Sequence, residues 1–264
     1  KMKKKTWQAG RFCWIDLGTT DTKAAKSFYT ALFGWETEDM PMPDGGGSYT
    51  TARLSGEDVG GLYSLSDEMK AQNVPPHWMT YISVTSVDES TAKARKLGAE
   101  IVRSPFDIPE TGRMSLIKDP TGAMVALWQI DSPHPGSGQF ENVPGTLGWA
   151  ELVTGNIDVA GKFYVDLFGW KPNNMNDPVP YTVFQDGETM VAGMMAKNKE
   201  MEQVPPNWSV YFSVADCDAS TKKAAELGAT ILVPPTDIPG TGRFACFLDP
   251  QGAAFSVIAT APMK

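Results

Sequence analysis

The stretch Ser27–Trp35, SFYTALFGW, returns later in the chain as Lys162–Trp170, KFYVDLFGW. Phe28, Tyr29, Leu32, Phe33, Gly34 and Trp35 match Phe163, Tyr164, Leu167, Phe168, Gly169 and Trp170 at an offset of 135 residues. A repeat this close restricts the chain to two halves of one design. Within each copy the apolar residues recur at helical spacing, which puts one greasy stripe along an amphipathic helix. The glycine that follows can take the left-handed conformation that ends a helix. The Trp then opens the next element, so the helix lies on a sheet and turns into it.

Taken in order, Arg11–Leu17 reads as a strand. Cys13, Ile15 and Leu17 fall on one face, with Phe12, Trp14 and Asp16 on the other. A helix over Asp21–Phe33 follows, then a strand at Trp35–Met40 and a hairpin of Tyr49–Leu54 with Val59–Ser64. Leu65–Pro76 is a crossing segment. A second unit opens with the alternating strand Trp78–Val84. Ser86 and Glu89 form a capping-box signal for the next helix, which stops at Gly98. Strands follow at Glu100–Arg103, Arg113–Lys118 and Met124–Ile130. Each half therefore holds the order strand, helix, three strands, twice. Val74-Pro75-Pro76, Asp107-Ile108-Pro109 and Asp119-Pro120 recur at an offset of 130 in the second half. The stretch Asp131–Gly145, rich in Pro, Gly and Ser, reads as a linker.

Bulk properties narrow the function classes. The formal net charge of the 264 residues is −8, and no basic cluster occurs beyond Lys1–Lys5, which argues against a nucleic-acid partner. No apolar run approaches the roughly 18–20 residues of a membrane helix. Cys13, Cys217 and Cys246 lack metal-type spacing and read as free thiols of a cytosolic protein.

A strand-helix-strand-strand-strand unit cannot cover its own sheet. Two units side by side give a curved sheet with helices outside and a concavity inside. Strand parity then selects the side chains of that cup. In the first half they are Trp14, Asp16, Met79, Tyr81, Ser83, Met124, Ala126 and Trp128. In the second half they are Trp149, Glu151, Ser209, Tyr211, Ser213, Ala254, Ser256 and Ile258. This mixture of aromatic, small and polar residues suits a small-molecule site.

These features resemble the vicinal oxygen chelate superfamily, which includes glyoxalase I, bleomycin-resistance proteins and extradiol dioxygenases. The matching motifs are the Phe-Tyr…Leu-Phe-Gly-Trp helix, the Leu-Gly-Ala helix stops and the Asp-Pro-x-Gly turn before a final strand. The resemblance covers Arg11–Ile130 and Thr146–Thr260. It implies an α+β fold of two tandem glyoxalase-like domains, at 10–131 and 146–262, joined by a linker at 132–145. Each domain would hold two βαβββ modules forming a cupped mixed sheet. Enzymes of the superfamily hold a divalent metal through His and Glu at positions that here carry Trp14, Met79 and Ala126, then Trp149, Ser209 and Ser256. None is a good ligand, and the chain has only two histidines, His77 and His134. No cofactor is expected, and a divalent metal has no support at those positions.

Asp16 and Glu151 are the candidate acid–base groups or hydrogen-bond acceptors, or else carboxylates satisfied by the protein itself. In an apolar cup their pKa values should rise unless they are paired. Tyr81 and Tyr211 could donate to a ligand carbonyl. Trp14 and Trp149 are either an aromatic wall or plugs in a vacated metal site. Met79, Trp128, Ser209 and Ser256 complete the expected lining. Arg113 and Arg243 could bind an anionic ligand, or pair a nearby Asp and hold their turns. The methionines at 40–42 and 194–201 could form an apolar lid or fill cores. The residues lead to the expectation of a protein, monomer or homodimer, that binds a small organic ligand without the usual metal. Two alternatives stand beside it: an enzyme of the same fold (a glyoxalase-like lyase, an isomerase or a dioxygenase-like oxidoreductase) and an antibiotic-sequestering resistance protein.

Overall fold

The computed structural model describes residues 8–42, 47–130, 142–176 and 179–260. Lys1–Lys5, His134 and most of the expected linker lie outside them. The first half runs β1 (Phe12–Thr19), α1 (Thr22–Phe33), β2 (Glu36–Pro41), β3 (Ser48–Leu54), β4 (Glu57–Ser64), α2 (Asp67–Ala71), β5 (His77–Ser83), α3 (Val87–Lys96), β6 (Glu100–Ile108), β7 (Gly112–Lys118) and β8 (Met124–Ile130). The second half repeats this as β9 (Leu147–Thr154), α4 (Ile157–Phe168), β10 (Lys171–Met175), β11 (Tyr181–Asp186), β12 (Thr189–Ala196), β13 (Asn207–Ser213), α5 (Cys217–Glu226), β14 (Thr230–Ile238), β15 (Gly242–Leu248) and β16 (Ala254–Thr260). A 3-10 turn at Lys199–Met201 stands in the place of α2.

The local signals act as the residues dictate. The Asp21 carboxylate accepts from the Ala24 backbone N–H and caps α1, while Ser86 does the same for α3 through Glu89. Gly34 and Gly169 end α1 and α4 at φ 75° and 76°. Two elements depart from expectation. The crossing segment contains the short α2, capped by Ser66. The strand expected at Glu100–Arg103 continues to Ile108 through two register shifts. It lies at the sheet edge, where Pro105 needs no ladder partner on its open side.

Each half builds one eight-stranded mixed sheet. The first has the order β2-β3-β4-β1-β5-β8-β7-β6, and the second repeats it strand for strand. The two modules of a half meet where β1 pairs antiparallel with β5, and β9 with β13. The helices lie on the convex side of each sheet, and there the halves meet. One core joins Ile15, Leu17, Phe28, Tyr29 and Trp35 of the first half to Val210, Phe212, Phe247 and Phe255 of the second. The other joins Phe12, Ile82, Val125 and Leu127 to Phe163, Tyr164, Trp170 and Trp208. The helices are thus outside each cup yet sandwiched between the two sheets. Among the described residues no helix is long and apolar enough to cross a membrane.

Polar groups fix this interface where burial alone would leave it free to slide. Trp78 Nε1 donates to the Tyr29 hydroxyl at 3.1 Å, and that hydroxyl donates to Asp249 Oδ2 of the other half at 2.9 Å. Reciprocally, Trp208 Nε1 donates to Tyr164 at 2.8 Å, and Tyr164 donates to Asp119 Oδ2 at 3.0 Å. Asp119 Oδ1 meanwhile accepts the backbone N–H groups of Thr121, Gly122 and Ala123, so one carboxylate both shapes the β7–β8 turn and grips the opposite helix. Trp35 and Trp170 donate to backbone carbonyls of Gly145 and Gly10. Lys93 caps the end of α4 at the Leu167 carbonyl, and Lys223 caps α1 at that of Leu32, each a cation at a helix C-terminus.

Replacing Tyr29 or Tyr164 by Phe strands a buried indole N–H and a carboxylate oxygen, so each should cost about 2–3 kcal/mol. Urea unfolding followed by tryptophan emission checks this. A loss below about 0.5 kcal/mol in both variants would show that the interface does not depend on these bonds.

Candidate functional site

With the convex faces occupied, the concave faces remain for chemistry. On β1 the inward parity holds for Asp16 but not along the whole strand. A register shift between Phe12 and Trp14 places a bulge at Cys13. Phe12 therefore packs on the helix side, against Trp170 and Trp208, while Cys13 joins the cup with Met79, Tyr81, Met114 and Ala126. This reverses the expected faces of Phe12 and Cys13, because one extra residue in a strand inverts parity beyond it.

Asp16 lies opposite Met79 in the ladder and is 4% exposed. Its Oδ2 accepts from the Tyr81 hydroxyl at 2.8 Å and from Tyr49 at 3.4 Å. Tyr49 in turn accepts from Trp14 Nε1 at 2.8 Å. Asp16 Oδ1 is buried with no partner among the described residues. Burial pushes the Asp16 carboxyl up to about 7, and the two tyrosine bonds offset only part of that rise. The same negative neighbour and the same burial push the Tyr49 and Tyr81 phenols well above their ordinary range.

The second cup repeats the arrangement. Glu151 Oε2 accepts from Tyr181 at 2.7 Å and Oε1 accepts from Tyr211 at 2.9 Å. Trp149 Nε1 donates to Tyr181 at 2.9 Å. Burial raises the Glu151 carboxyl too. Trp14 and Trp149 thus serve as hydrogen-bond supports for a tyrosine, a role intermediate between the wall and the plug expected of them.

Tyr49 and Tyr181 escaped the sequence reading. Both sit on the inner hairpin strands β3 and β11, whose inward face their own residue pattern does not mark. The usable signal lies on the neighbouring strand: Tyr49 and Tyr181 rest their hydroxyls over Gly61 and Gly193, where any Cβ would overlap the phenol oxygen. A tyrosine paired with a glycine in both halves marks a ring that must cross its neighbour's backbone.

The other expected residues divide. Met79 and Trp128 line the first cup, with Trp128 edge-on to Tyr81 at 6.4 Å. Ser209 lies opposite Glu151 and bonds Asn207, and Ser256 donates to Cys246 Sγ at 3.1 Å. Arg113 and Arg243 do not reach the cups. On β7 it is Met114 and Leu116 that face inward, so Arg113 falls on the α3 side. There it forks onto Asp88 at 2.7 and 3.0 Å and bonds Asp107. Arg243 does the same with Asp218 and Asp237. The expectation that these arginines bind an anionic ligand gives way to the turn-holding role. Met194 is buried in the helix-side core, whereas Met40 is exposed on the edge strand β2.

The divalent metal that the resemblance implies does not fit the residues present. The positions that should supply ligands hold an indole N–H already donated to Tyr49, a thioether and a methyl group at Trp14, Met79 and Ala126. Among the described residues no three His, Cys, Asp or Glu side chains gather at one point. Two shallow surface hollows, of about 280 and 400 Å³, lie elsewhere: one between the Pro120 turn and the start of α4, the other beside Arg243. Neither touches Asp16 or Glu151. They are open grooves without buried polar groups aimed into them, and the cups remain the candidate sites.

A family model described as "Glyoxalase/Bleomycin resistance protein/Dioxygenase superfamily" matches residues 11–127 and again 146–257. The chain belongs to this superfamily. A Mycobacterium tuberculosis protein named "Putative glyoxylase CFP32" is 43% identical over 99% of both chains. "Anthracycline biosynthesis protein DnrV" of Streptomyces peucetius is 35% identical over 94% of this chain and 93% of its own. Among solved structures, the Mn(II)-bound glyoxalase from Novosphingobium aromaticivorans superposes with a TM-score of 0.67 at 18% identity, covering 96% of this chain and 82% of that one. The 2,3-dioxygenase LapB from Pseudomonas sp. KL28 does so at 0.66 and 12% identity, covering 99% and 94%. At such identities these two structures speak for the fold alone.

The raised carboxyl carries a stability signature. With a folded pKa of about 7 against an ordinary 3.8, the native state binds more protons than the unfolded chain between those values. Asp16 therefore destabilises the fold progressively as pH rises from about 4 to about 7, by on the order of 4 kcal/mol in full. The Asp16→Asn variant should gain stability relative to the native protein over that window. Thermal unfolding of both at a series of pH values checks it: curves that stay parallel would mean the carboxyl is not raised. A second expectation concerns Gly61→Ala, which should expel the Tyr49 ring from its seat and change the emission of Trp14, whose N–H it accepts. An emission spectrum unchanged from the native protein would contradict that placement.

Proposed function

We propose that this protein binds a small, largely apolar organic molecule in a cup, and that the tyrosine-held carboxyl of that cup is the ligand's polar anchor. One observation carries the reading. In both halves a buried carboxyl is gripped by two tyrosines at the floor of a concave sheet, and one of those tyrosines is itself braced by a tryptophan. Sequence is invested in that arrangement twice, and neither copy contributes to the interface between the halves. In the first cup the half-buried Trp14, Trp128, Leu116 and Met124 pack in one apolar cluster with Met79, which lies opposite the acid, and Tyr81, which bonds it. A few converging polar groups in an apolar concavity are what a small-molecule site requires. The likeness to a protein named for anthracycline biosynthesis adds weight to a planar, oxygenated ring system as the ligand class.

A second reading has its own support. A carboxyl near 7 is half ionised at neutral pH, which suits it to take a proton from a bound substrate and return it. Under this reading the protein is a lyase or isomerase that uses Asp16 or Glu151 as its base, without drawing on a metal. The likeness to a protein named as a glyoxylase favours it.

A thermal-shift screen tests the first reading. The panel holds 1,8-dihydroxyanthraquinone, simple phenols, α-oxoaldehydes and their thiol adducts. A compound held at about 100 times its dissociation constant should stabilise the fold by about 2.7 kcal/mol. Tyr81→Phe together with Tyr211→Phe should reduce the shift, and a panel that leaves the melting temperature unmoved argues against a ligand site. Metal analysis before and after binding addresses the metal-independent part. A stoichiometric Fe, Zn, Mn or Ni that ligand binding requires would overturn it.

A further inference from the structure

The two cups share a plan but not their state of satisfaction. Both oxygens of Glu151 accept a tyrosine hydroxyl, one from Tyr181 and one from Tyr211. In the first cup Tyr49 and Tyr81 converge on the same oxygen, Oδ2, and leave Oδ1 buried without a partner among the described residues. An orphaned carboxylate oxygen in an apolar setting is costly, by far more than an exposed one, and native structures seldom retain such an atom without use for it. The shorter Asp side chain explains the geometry: both phenols must reach to it, and they meet it from one side.

The linings differ as well. The first cup forms a continuous apolar cluster around Met79, Met114, Leu116, Met124 and Trp128. At the matching places the second cup has Ser209, Phe244, Cys246, Ala254 and Ile258. Four of the five are smaller, and two are polar or weakly so. The ladder confirms the correspondence: Met79 lies opposite Asp16 as Ser209 lies opposite Glu151, and Met114 opposite Trp128 as Phe244 opposite Ile258.

We infer that the first cup is the aryl-alcohol site of the protein: Asp16 Oδ1 accepts the hydroxyl of a phenol-type ligand whose ring lies among Trp14, Trp128 and the cup methionines, while the Glu151 carboxyl is internally satisfied and does not take that ligand. The inference rests on the ligand-binding reading above and assigns it to one cup and one chemical class. Methionine side chains, unbranched and adaptable, are the parts of the lining that can move aside for a ring. The titratable groups facing Asp16 are Tyr49 of β3, Tyr63 of β4 and Tyr81 of β5, all with phenols raised by burial, and the Cys13 thiol of the same cluster is raised likewise. None of them ionises near neutral pH, so Asp16 alone changes charge there.

The test uses two probes that differ by one hydrogen-bond donor, 1-naphthol and 1-methoxynaphthalene. Binding to the intact protein is followed by quenching of tryptophan emission at about pH 8, where Asp16 is mostly ionised. A hydrogen bond to a charged oxygen should make 1-naphthol bind at least about tenfold more tightly than its methyl ether. Asp16→Asn should erase that difference and Glu151→Gln should preserve it. A difference that survives in Asp16→Asn overturns the inference. So does one that disappears in Glu151→Gln, which would move the site to the second cup and leave the ligand-binding reading standing. If neither probe binds while another class in the thermal-shift panel does, the aryl-alcohol assignment alone falls. If no class binds, both fall. A measurement on the unmutated protein guards against a misfolded variant: with carboxyl-13C aspartate and glutamate, 1-naphthol should shift the Asp16 carboxyl resonance and leave that of Glu151 in place. The opposite pattern refutes the inference.

Discussion

The structure depends on two buried aspartates that each serve two masters. Asp119 and Asp249 use one oxygen to shape the turn before the last strand of their own half, and the other to receive a tyrosine from the helix of the opposite half. A carboxylate that leaves solvent must have its lone pairs filled, and these are filled by groups from both halves at once. The turn therefore acquires its shape and the interface its register in the same act. Around each of these aspartates the aromatic residues of the repeated Phe-Tyr…Phe-Gly-Trp segment stack, tilt and cross edge to face, with Tyr29 5.7 Å from Trp35 and Tyr164 5.9 Å from Trp170.

From this follows the placement of the chemistry. The helices and the indoles of Trp35, Trp78, Trp170 and Trp208 occupy the convex faces, where the buried Asp119 and Asp249 are taken up by the lock between the halves. The rims are taken by arginine–aspartate pairs that hold turns. Among the described residues each cup holds a buried carboxyl, Asp16 or Glu151, set beside aromatic rings and supported by phenols. The superfamily scaffold is present, and the positions at which the resemblance implies metal ligands hold indole, thioether, methyl and hydroxyl groups.

Much of this is legible in the sequence, and the reasons for the exceptions are physical. The repeat fixes two halves and four modules because a shared helix pattern demands a shared sheet to lie on. Alternation correctly separates Val210 and Phe212, which face the helices, from Tyr211, which faces the cup. It fails at Phe12 and Cys13 because a bulge is invisible to a period-two count. It also exposes, in hindsight, why Arg113 and Arg243 could not line the cups: each precedes an inward residue, Met114 or Phe244, by one place. Tyr49 and Tyr181 were hidden for another reason. Their importance lies in a contact with a glycine on the adjacent strand, and no reading of one strand at a time can show a relation between two.

The lock at the convex faces and the constellations in the cups have no residue in common. Tyr29, Trp78 and Asp249 hold the assembly through hydrogen bonds that Trp14, Asp16 and Tyr49 do not share. Such a division lets the concave linings differ while the architecture stays the same, as methionine, leucine and tryptophan in one cup stand where the other has serine, cysteine and isoleucine. A scaffold so partitioned is one on which new specificities can be tried, one cup at a time, with the other kept as an unaltered copy.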